Sequence, residues 1–177
     1  LGVNIPSCSS AGRLFDAVAA LLCVCPEQVS YEGQAAMELE ALVDPNWMGD
    51  ADFIGYPLAL NTTTDLQLDP TPLWQALLHD LAKGCSKAEI ATRFHKGFAL
   101  SLMAVARHLA QQWGLETIVL SGGVFQNRYL LEAVYAGLAS EFTVLKHQQI
   151  PANDGGLSLG QAAIAAAHLL GVKPICV

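Results

Sequence analysis

Charge, long apolar runs and targeting signals are what the sequence has least of. Only 14% of the 177 residues are charged, and the formal net charge is −7. No run approaches about 18 consecutive apolar residues, so neither a transmembrane helix nor a membrane partner is expected. The acidic balance and the lack of a basic cluster argue against nucleic acid as the main partner. Since the chain starts at Leu1 and shows no signal-peptide pattern, we expect a piece of a longer chain without a secretory leader.

Several ligand and motif patterns are missing as well. The five cysteines are odd in number and irregularly spaced, which is typical of a reducing compartment and predicts a cytoplasmic protein. The five histidines contain no His-x-x-x-His pair, so they cannot assemble a complete zinc or iron site from helix-spaced ligands. The Walker and Gly-x-Gly-x-x-Gly motifs are absent, which leaves a P-loop and a Rossmann dinucleotide site unsupported.

A glycine turn is the most informative feature that is present. Residues 117–120 have buried-strand character, Ser121-Gly122-Gly123 follows, and a helix-compatible run begins at Asn127. A strand that ends in glycines and opens a helix can turn backbone N–H groups toward an anion, and the helix N-terminus adds roughly half a positive charge. The pattern predicts a phosphate-binding turn, with Ser121 as a phosphate contact rather than a nucleophile. A plain strand-to-helix connection explains it equally well.

A second glycine turn, Asn153-Asp154-Gly155-Gly156, follows about thirty residues later. The first turn could hold phosphates, and the second, with its carboxylate, a metal-bound phosphate or a ribose. The alternative is an N-cap role for Asn153 or Asp154. The two glycines weigh slightly against a mere cap, since a cap does not need both.

The spacing of apolar residues predicts a helix-rich α/β fold with a small sheet. Residues 44–50 are expected to form a turn, and 53–60 with 66–68 a hairpin. The small residues of the last helix favour close packing within the fold. His95 and His108, alone on the long helix, are interpreted as packed or solvent-bonded side chains. The predicted helices are 12–24, 35–43, 69–84, 87–113, 127–138 and 156–170, and the later strands are 117–120 and 142–145.

Four ordered stretches resemble the C-terminal part of the carbamoyltransferase HypF family: SAGRLFDAVAALL at 10–22, YEGQAAMELE at 31–40, LSGGVFQNR at 120–128 and PANDGGLSLGQ at 151–161. The resemblance runs from about residue 5 to residue 170. It implies one lobe of an actin-like ATPase (ASKHA) fold, in which nucleotide lies between two lobes. Residues 1–177 would then be a single fragment, the C-terminal lobe of a carbamoyl-transfer module, with the upstream domains absent.

The resemblance also implies a reaction. The family uses carbamoyl phosphate and ATP to make carbamoyl-adenylate, then passes the carbamoyl group to the C-terminal cysteine of HypE during nickel-iron hydrogenase maturation. We therefore expect ATP or carbamoyl-adenylate as the ligand and HypE as the partner. The attacking thiolate belongs to that partner, so no catalytic residue is expected in this chain, and the fragment alone should be inactive.

Residues that match the family's motifs define a candidate site. A divalent metal (Zn, Fe or Mg) would be shared with the missing first lobe, whose histidine pair is not found here. The alternative interpretation of Asp16 is an ordinary solvent-exposed carboxylate on a helix, without a ligand. The implied roles are ribose binding for Asp16 and Glu38, a loop beside the ribose for Gly33 or Gln34, the nucleotide turn for Ser121, Gly122, Gly123 and Asn127, and metal binding for Asp154.

Two other functions remain open at the level of sequence. The lobe could dock the acceptor protein's tail without binding nucleotide by itself. It could also belong to another actin-like phosphotransferase, such as a sugar kinase.

Overall fold

The structure, a computed structural model, describes residues 8–25, 28–62 and 66–171. No helix in these ranges is long and apolar enough to cross a membrane. Two short 3-10 turns, Gly123–Gln126 and Asp154–Gly156, carry the two glycine motifs. The helices are α1 Ala11–Leu21, α2 Gln34–Glu40, α3 Pro45–Gly49, α4 Thr71–Ala82, α5 Lys87–Trp113, α6 Arg128–Leu138 and α7 Leu157–Leu169, and the strands are β1 Ala59–Asn61, β2 Gln67–Asp69, β3 Thr117–Leu120 and β4 Thr143–Lys146.

The helix-rich α/β prediction is confirmed, with two local differences. The predicted turn at 44–50 contains α3, which begins because the Asp44 side chain accepts a hydrogen bond from the Asn46 N–H at 2.8 Å. The predicted hairpin is much shorter than expected, pairing Ala59–Asn61 with Gln67–Asp69 in an antiparallel register. Residues 53–58 form no strand, because this segment lies against α5, where the Tyr56 N–H donates to the Arg93 carbonyl at 2.9 Å.

The long helix α5 is the centre of the core. The sequence Ser86-Lys87-Ala88-Glu89 at its start is a capping-box pattern, which predicts a helix start at this place. Ser86 caps the helix by accepting a hydrogen bond from the Glu89 N–H at 3.1 Å. The Phe15 ring of α1 packs edge-on against Phe94, with the ring centroids 4.7 Å apart. Burying each such side chain contributes about 1.5–3 kcal/mol. The buried apolar residues that surround α5 include Val18, Leu39, Leu73, Leu77, Leu130, Val134 and Leu138.

A glycine in the middle of α5 sets how closely the 53–58 segment can approach. A Cβ atom at Gly97 would lie 1.9 Å from the Tyr56 carbonyl oxygen, and one at Gly55 would lie 2.3 Å from the Gly97 nitrogen. The close approach lets the buried Tyr56 hydroxyl donate to Asp80 of α4 at 2.9 Å. Burial and this hydrogen bond both raise the pKa of Tyr56 well above its usual range. The segment is therefore held between α4 and α5.

Strands β3 and β4 pair in parallel, with α6 as the crossover between them. Ile118, Leu120 and Val144 pack against the core. Val119 and Leu145 are neighbours in the register, lie on the opposite face of the sheet, and are 62% and 51% exposed. In the described ranges this sheet has two strands, and one of its faces is open.

Helix α7 does not pack as its composition predicts. None of its thirteen residues is buried, so the expectation of close packing within the fold is wrong for the described residues. The helix extends from the second glycine turn and contains no Asp, Glu, Lys or Arg.

The Gly97 contact predicts a large effect of one methyl group. Gly97→Ala should destabilise the protein by about 3 kcal/mol, since the clash is with backbone atoms that cannot rotate away. Urea unfolding followed by circular dichroism measures the change. Gly49→Ala is the control, because a Cβ atom there has no neighbour within 4 Å, and it should alter stability by no more than about 0.5 kcal/mol. Equal stability of the two variants would contradict the argument.

Candidate functional site

The two glycine turns meet in space. The Gly122 N–H donates to the Ala152 carbonyl at 2.9 Å. A Cβ atom at Gly123 would lie 3.9 Å from the Asn153 Cβ. The two motifs, thirty residues apart in sequence, therefore form one surface at the carboxyl end of β3, where α/β folds commonly bind ligands.

The glycines of this surface are required for different reasons. Gly122 has φ 102°, a left-handed conformation that favours glycine. A Cβ atom at Gly156 would lie 2.8 Å from the Pro151 carbonyl oxygen, so the second turn needs a glycine for packing. Gly123 meets neither demand: its φ lies outside the left-handed region, and nothing lies closer than 3.9 Å to a Cβ there. The fold itself does not require glycine at this position.

Two side chains already cap the N-terminus of α6. The Asn127 Oδ1 accepts a hydrogen bond from the Leu130 N–H at 2.9 Å, and the Glu40 Oε1 accepts one from the Arg128 N–H at 2.7 Å. Burial raises the pKa of Glu40, and its bonds to the Arg128 and Tyr129 N–H groups partly oppose this. The first N–H groups of the first 3-10 turn have no acceptor within that turn. An anion at this surface would therefore have to bind to these N–H groups.

Asn127 points into the core rather than toward solvent. Its Nδ2 lies 2.8 Å from the His95 Nε2, and the His95 Nδ1 lies 2.8 Å from the Ala91 carbonyl. Because a carbonyl can only accept, Nδ1 carries the proton, and Nε2 accepts from the Asn127 amide. Burial lowers the pKa of His95 to about 4, opposed by the Ala91 bond, so the ring is neutral. This chain of bonds fixes the asparagine that closes the first turn.

The two predicted ribose carboxylates lie on neighbouring helices. Asp16 of α1 is half-exposed and pairs with Arg13 at 3.1 Å, a surface ion pair worth about 1 kcal/mol or less. Helix α1 packs against α2 and also touches the first 3-10 turn. The structure therefore brings the helix of Asp16 close to the glycine surface.

Glu38 of α2 lies in a small network of its own. The pKa of Glu38 lies below its usual value. The main cause is a hydrogen bond from the Cys25 thiol, and a second hydrogen bond from Gln34 adds to it. The Gln34 Nε2 donates to Glu38 at 2.8 Å, while its Oε1 accepts from the Ser30 N–H at 2.6 Å. Gly33 begins α2 with φ 80°, a left-handed conformation. Glu38 is thus kept ionised and exposed, as an acceptor for a diol must be.

His147 was not predicted and lies at the site. Its Nε2 is 3.0 Å from the Ser121 Oγ, and both residues are exposed. Leu120 pairs with Lys146 in the parallel register, so the next residue of each strand reaches the same edge. Strand prediction alone could have found this pair, had the two strands been taken as parallel neighbours.

Asp154 is exposed at the start of the second turn. The cap there is Asn153, whose Oδ1 accepts from the Gly155 N–H at 3.1 Å, so the Asp154 carboxylate is not used for capping. The described residues contain no group of three or more His, Cys, Asp or Glu side chains that could hold a metal ion. One carboxylate does not make a divalent-metal site, so these residues do not fit a metal by themselves.

A Gly-x-Ser-x-Gly pattern at 156–160 has no catalytic setting. Ser158 lies inside α7, whereas a nucleophile elbow needs a sharp turn from a strand into a helix.

Comparison with protein families gives a match over most of the chain. A family model described as "Carbamoyltransferase, Kae1-like Domain, second subdomain" matches residues 1–161. The carbamoyltransferase HypF of Rhodobacter capsulatus is 43% identical over 169 residues, which cover 95% of the chain. The HypF of Synechocystis is 40% identical over 88% of the chain. The chain spans only 21% and 19% of the lengths of these two relatives.

Solved structures agree with this match. A crystal structure described as full-length HypF in the phosphate- and nucleotide-bound form has a TM-score of 0.81 and 40% identity over 91% of the chain. The HypF of T. kodakarensis has a TM-score of 0.80 and 27% identity over 97% of the chain. In each case the chain covers 21% of the solved one.

The buried imidazole predicts a specific pH dependence of stability. Its folded pKa of about 4 lies below the ordinary 6.5, so between these values the unfolded state binds the proton and the folded state does not. Stability should therefore fall as pH drops from about 6.5 to 4, by about 3 kcal/mol from this group. In urea unfolding at several pH values, the free energy of unfolding should fall less between pH 6.5 and about pH 4 for His95→Gln than for wild type.

The control is His79→Gln, at an exposed position on α4, which should keep the wild-type slope. NMR titration of the His95 ring in the unmodified protein gives a second measure that does not depend on the variant folding. A ring midpoint near 6.5, or parallel acid limbs for His95→Gln and wild type, would refute the assignment.

Proposed function

The chain belongs to the carbamoyltransferase HypF family, in which it matches the second subdomain of the Kae1-like domain, and we propose that it forms the nucleotide-binding half of a carbamoyl-transfer site. The observation that carries this proposal is the junction of the two glycine turns, with Gly123 open although the fold does not require glycine there. A similar fold described as phosphate- and nucleotide-bound supports it.

Each side of the surface would contact a different part of the ligand. The carboxylates of Asp16 and Glu38 would accept hydrogen bonds from the ribose hydroxyls, with Gly33 and Gln34 beside them. The Ser121 hydroxyl and the amide of Gly123 would contact the phosphate end. Gly122, whose N–H is donated to the Ala152 carbonyl, would shape the turn beside it. Asn127 acts through the turn, because its own amide is used by His95 and Leu130.

For the complete enzyme we propose the reaction that the family resemblance implies. Water would release inorganic phosphate from carbamoyl phosphate to leave carbamate, and a carbamate oxygen would attack the α-phosphorus of ATP, which forms carbamoyl-adenylate and releases pyrophosphate. The C-terminal cysteine thiolate of HypE would then attack the carbamoyl carbon. A C–S bond forms, the C–O bond to AMP breaks, and AMP leaves with the electron pair. This chain would bind and orient the adenylate, and the nucleophile would come from the partner.

A metal and a location complete the proposal. Asp154 is the carboxylate at this surface that could contact a divalent ion, whose other ligands would have to come from outside the described residues. Nucleotide binding as proposed here does not depend on that ion.

We also propose a cytoplasmic location, since the four cysteines that the structure describes are free thiols.

One observation favours the alternative, a lobe that docks the acceptor's tail without binding nucleotide alone. Glu40 and Asn127 occupy the amides of α6 that would otherwise strengthen anion binding. Nucleotide affinity of the isolated chain should therefore be modest, with the remaining contacts supplied by other parts of the enzyme.

Calorimetry with AMP and ATP tests the proposal on this chain. Gly123→Ala should weaken nucleotide binding at least about tenfold, which is 1.4 kcal/mol, while leaving thermal stability unchanged, because the added methyl group meets only open space and the Asn153 Cβ. Asp16→Ala should also weaken binding. Gly49→Ala, on α3 and equally unhindered, should bind like wild type.

The outcomes separate the two functions. Equal affinity of Gly123→Ala and wild type would show that the glycine surface is not the site. No measurable nucleotide binding, together with binding of a peptide ending in the acceptor's cysteine, would establish the docking function instead.

A further inference from the structure

An exposed histidine lies against the hydroxyl that the proposed site would use for phosphate. The His147 Nε2 is 3.0 Å from the Ser121 Oγ, a normal hydrogen-bond distance. His147 directly follows β4, and Ser121 directly follows β3. Because these strands pair in parallel, with Leu120 opposite Lys146, both side chains lie at the edge of the sheet where the first glycine turn begins.

The hydrogen bond between these two side chains can run in either direction. The hydroxyl can donate its proton to an unprotonated Nε2, or a protonated Nε2 can donate to the hydroxyl oxygen. The oxygens of an ionised phosphate only accept hydrogen bonds. Ser121 can therefore donate to a phosphate only when its own proton is free. While the pair stays bonded, this requires His147 to be the donor.

We propose that His147 is a positioning residue for the phosphate end of the nucleotide. By donating its Nε2–H to the Ser121 oxygen, it holds the hydroxyl in one orientation and turns the hydroxyl proton toward the phosphate. This inference rests on the proposed nucleotide site, and it adds a residue whose effect is confined to the phosphate.

The basic residues that flank the first turn and His147 are engaged elsewhere. Arg128 pairs with Glu132 at 2.8 Å, and the Lys146 Nζ lies 4.3 Å from the centroid of the Tyr135 ring. Glu40 accepts a hydrogen bond from the Arg128 N–H and adds a negative charge at the start of α6. An oriented hydroxyl therefore contributes a larger share of phosphate binding than it would beside an unpaired lysine or arginine side chain.

AMP and adenosine separate the phosphate from the rest of the nucleotide. In NMR titrations of this chain, His147→Ala should bind AMP about fivefold more weakly than wild type, a loss typical of one hydrogen bond. Affinity for adenosine, which has no phosphate, should not change. His147→Gln should bind AMP within about twofold of wild type, because the glutamine amide keeps an N–H donor at about the reach of Nε2. His79→Ala, at an exposed position on α4, is the control and should bind both ligands like wild type.

A double-mutant cycle separates positioning from direct contact with the phosphate. Ser121→Ala removes the hydroxyl that His147 orients. Adding His147→Ala to that variant should therefore cause no further loss of AMP affinity. A further loss of about fivefold would mean that the imidazole binds the phosphate itself, and would overturn the positioning role.

Heteronuclear NMR of the imidazole ring tests the direction of the hydrogen bond without any variant. With AMP bound at about pH 8, where model imidazoles are neutral, the His147 Nε2 should carry the proton and Nδ1 should not. A bound state with the proton on Nδ1 would refute the proposal, since Ser121 would then be donating to the ring.

Failure of this inference can be told apart from failure of the nucleotide site. If wild type binds no AMP, the proposed site fails and the role of His147 fails with it. If wild type binds AMP and His147→Ala binds it equally well, only the role of His147 fails. Equal losses of AMP and adenosine affinity in His147→Ala would show a general structural effect and would also overturn that role.

Discussion

A neutral imidazole buried in the middle of α5 joins the hydrophobic core to the candidate site. His95 can satisfy both ring nitrogens only if Nδ1 donates to Ala91 and Nε2 accepts from Asn127. Asn127 in turn fixes the start of α6 and the end of the first glycine turn. Since an unpaired buried polar group is costly, the position of the turn is determined by the packing of α5.

The charges around the turn follow from this arrangement. Glu40 lies half-buried at the start of α6, where its negative charge is favourable against the helix dipole. It takes the place that a phosphate would occupy in a simple strand–turn–helix anion site. Affinity for an anion must then come from the main chain of the first 3-10 turn and the Ser121 hydroxyl. Such a surface suits a ligand that is also held at its ribose end by other contacts.

Sequence reasoning found what local patterns encode and missed what distant contacts decide. The capping box at Ser86, the strand at 117–120 and the glycine turns are all visible within a few residues. The Glu40–Arg128 bond joins residues 88 positions apart, and the Asn127–His95 bond joins residues 32 apart. Neither bond can be inferred from the periodicity or spacing of residues in the sequence. The roles of Asp16, Glu38 and Asp154 came from family resemblance and stay predictions, while the family and the α/β fold are confirmed.

The position of α7 ties the last helix to the candidate site. The helix begins at Leu157, directly after the turn that carries Asp154, so the second turn sets where the helix starts. Asn153 holds that turn by accepting a hydrogen bond from the Gly155 N–H, and Gly156 fits because a Cβ atom there would meet the Pro151 carbonyl oxygen. The start of α7 is therefore determined by the same glycines that shape the candidate site.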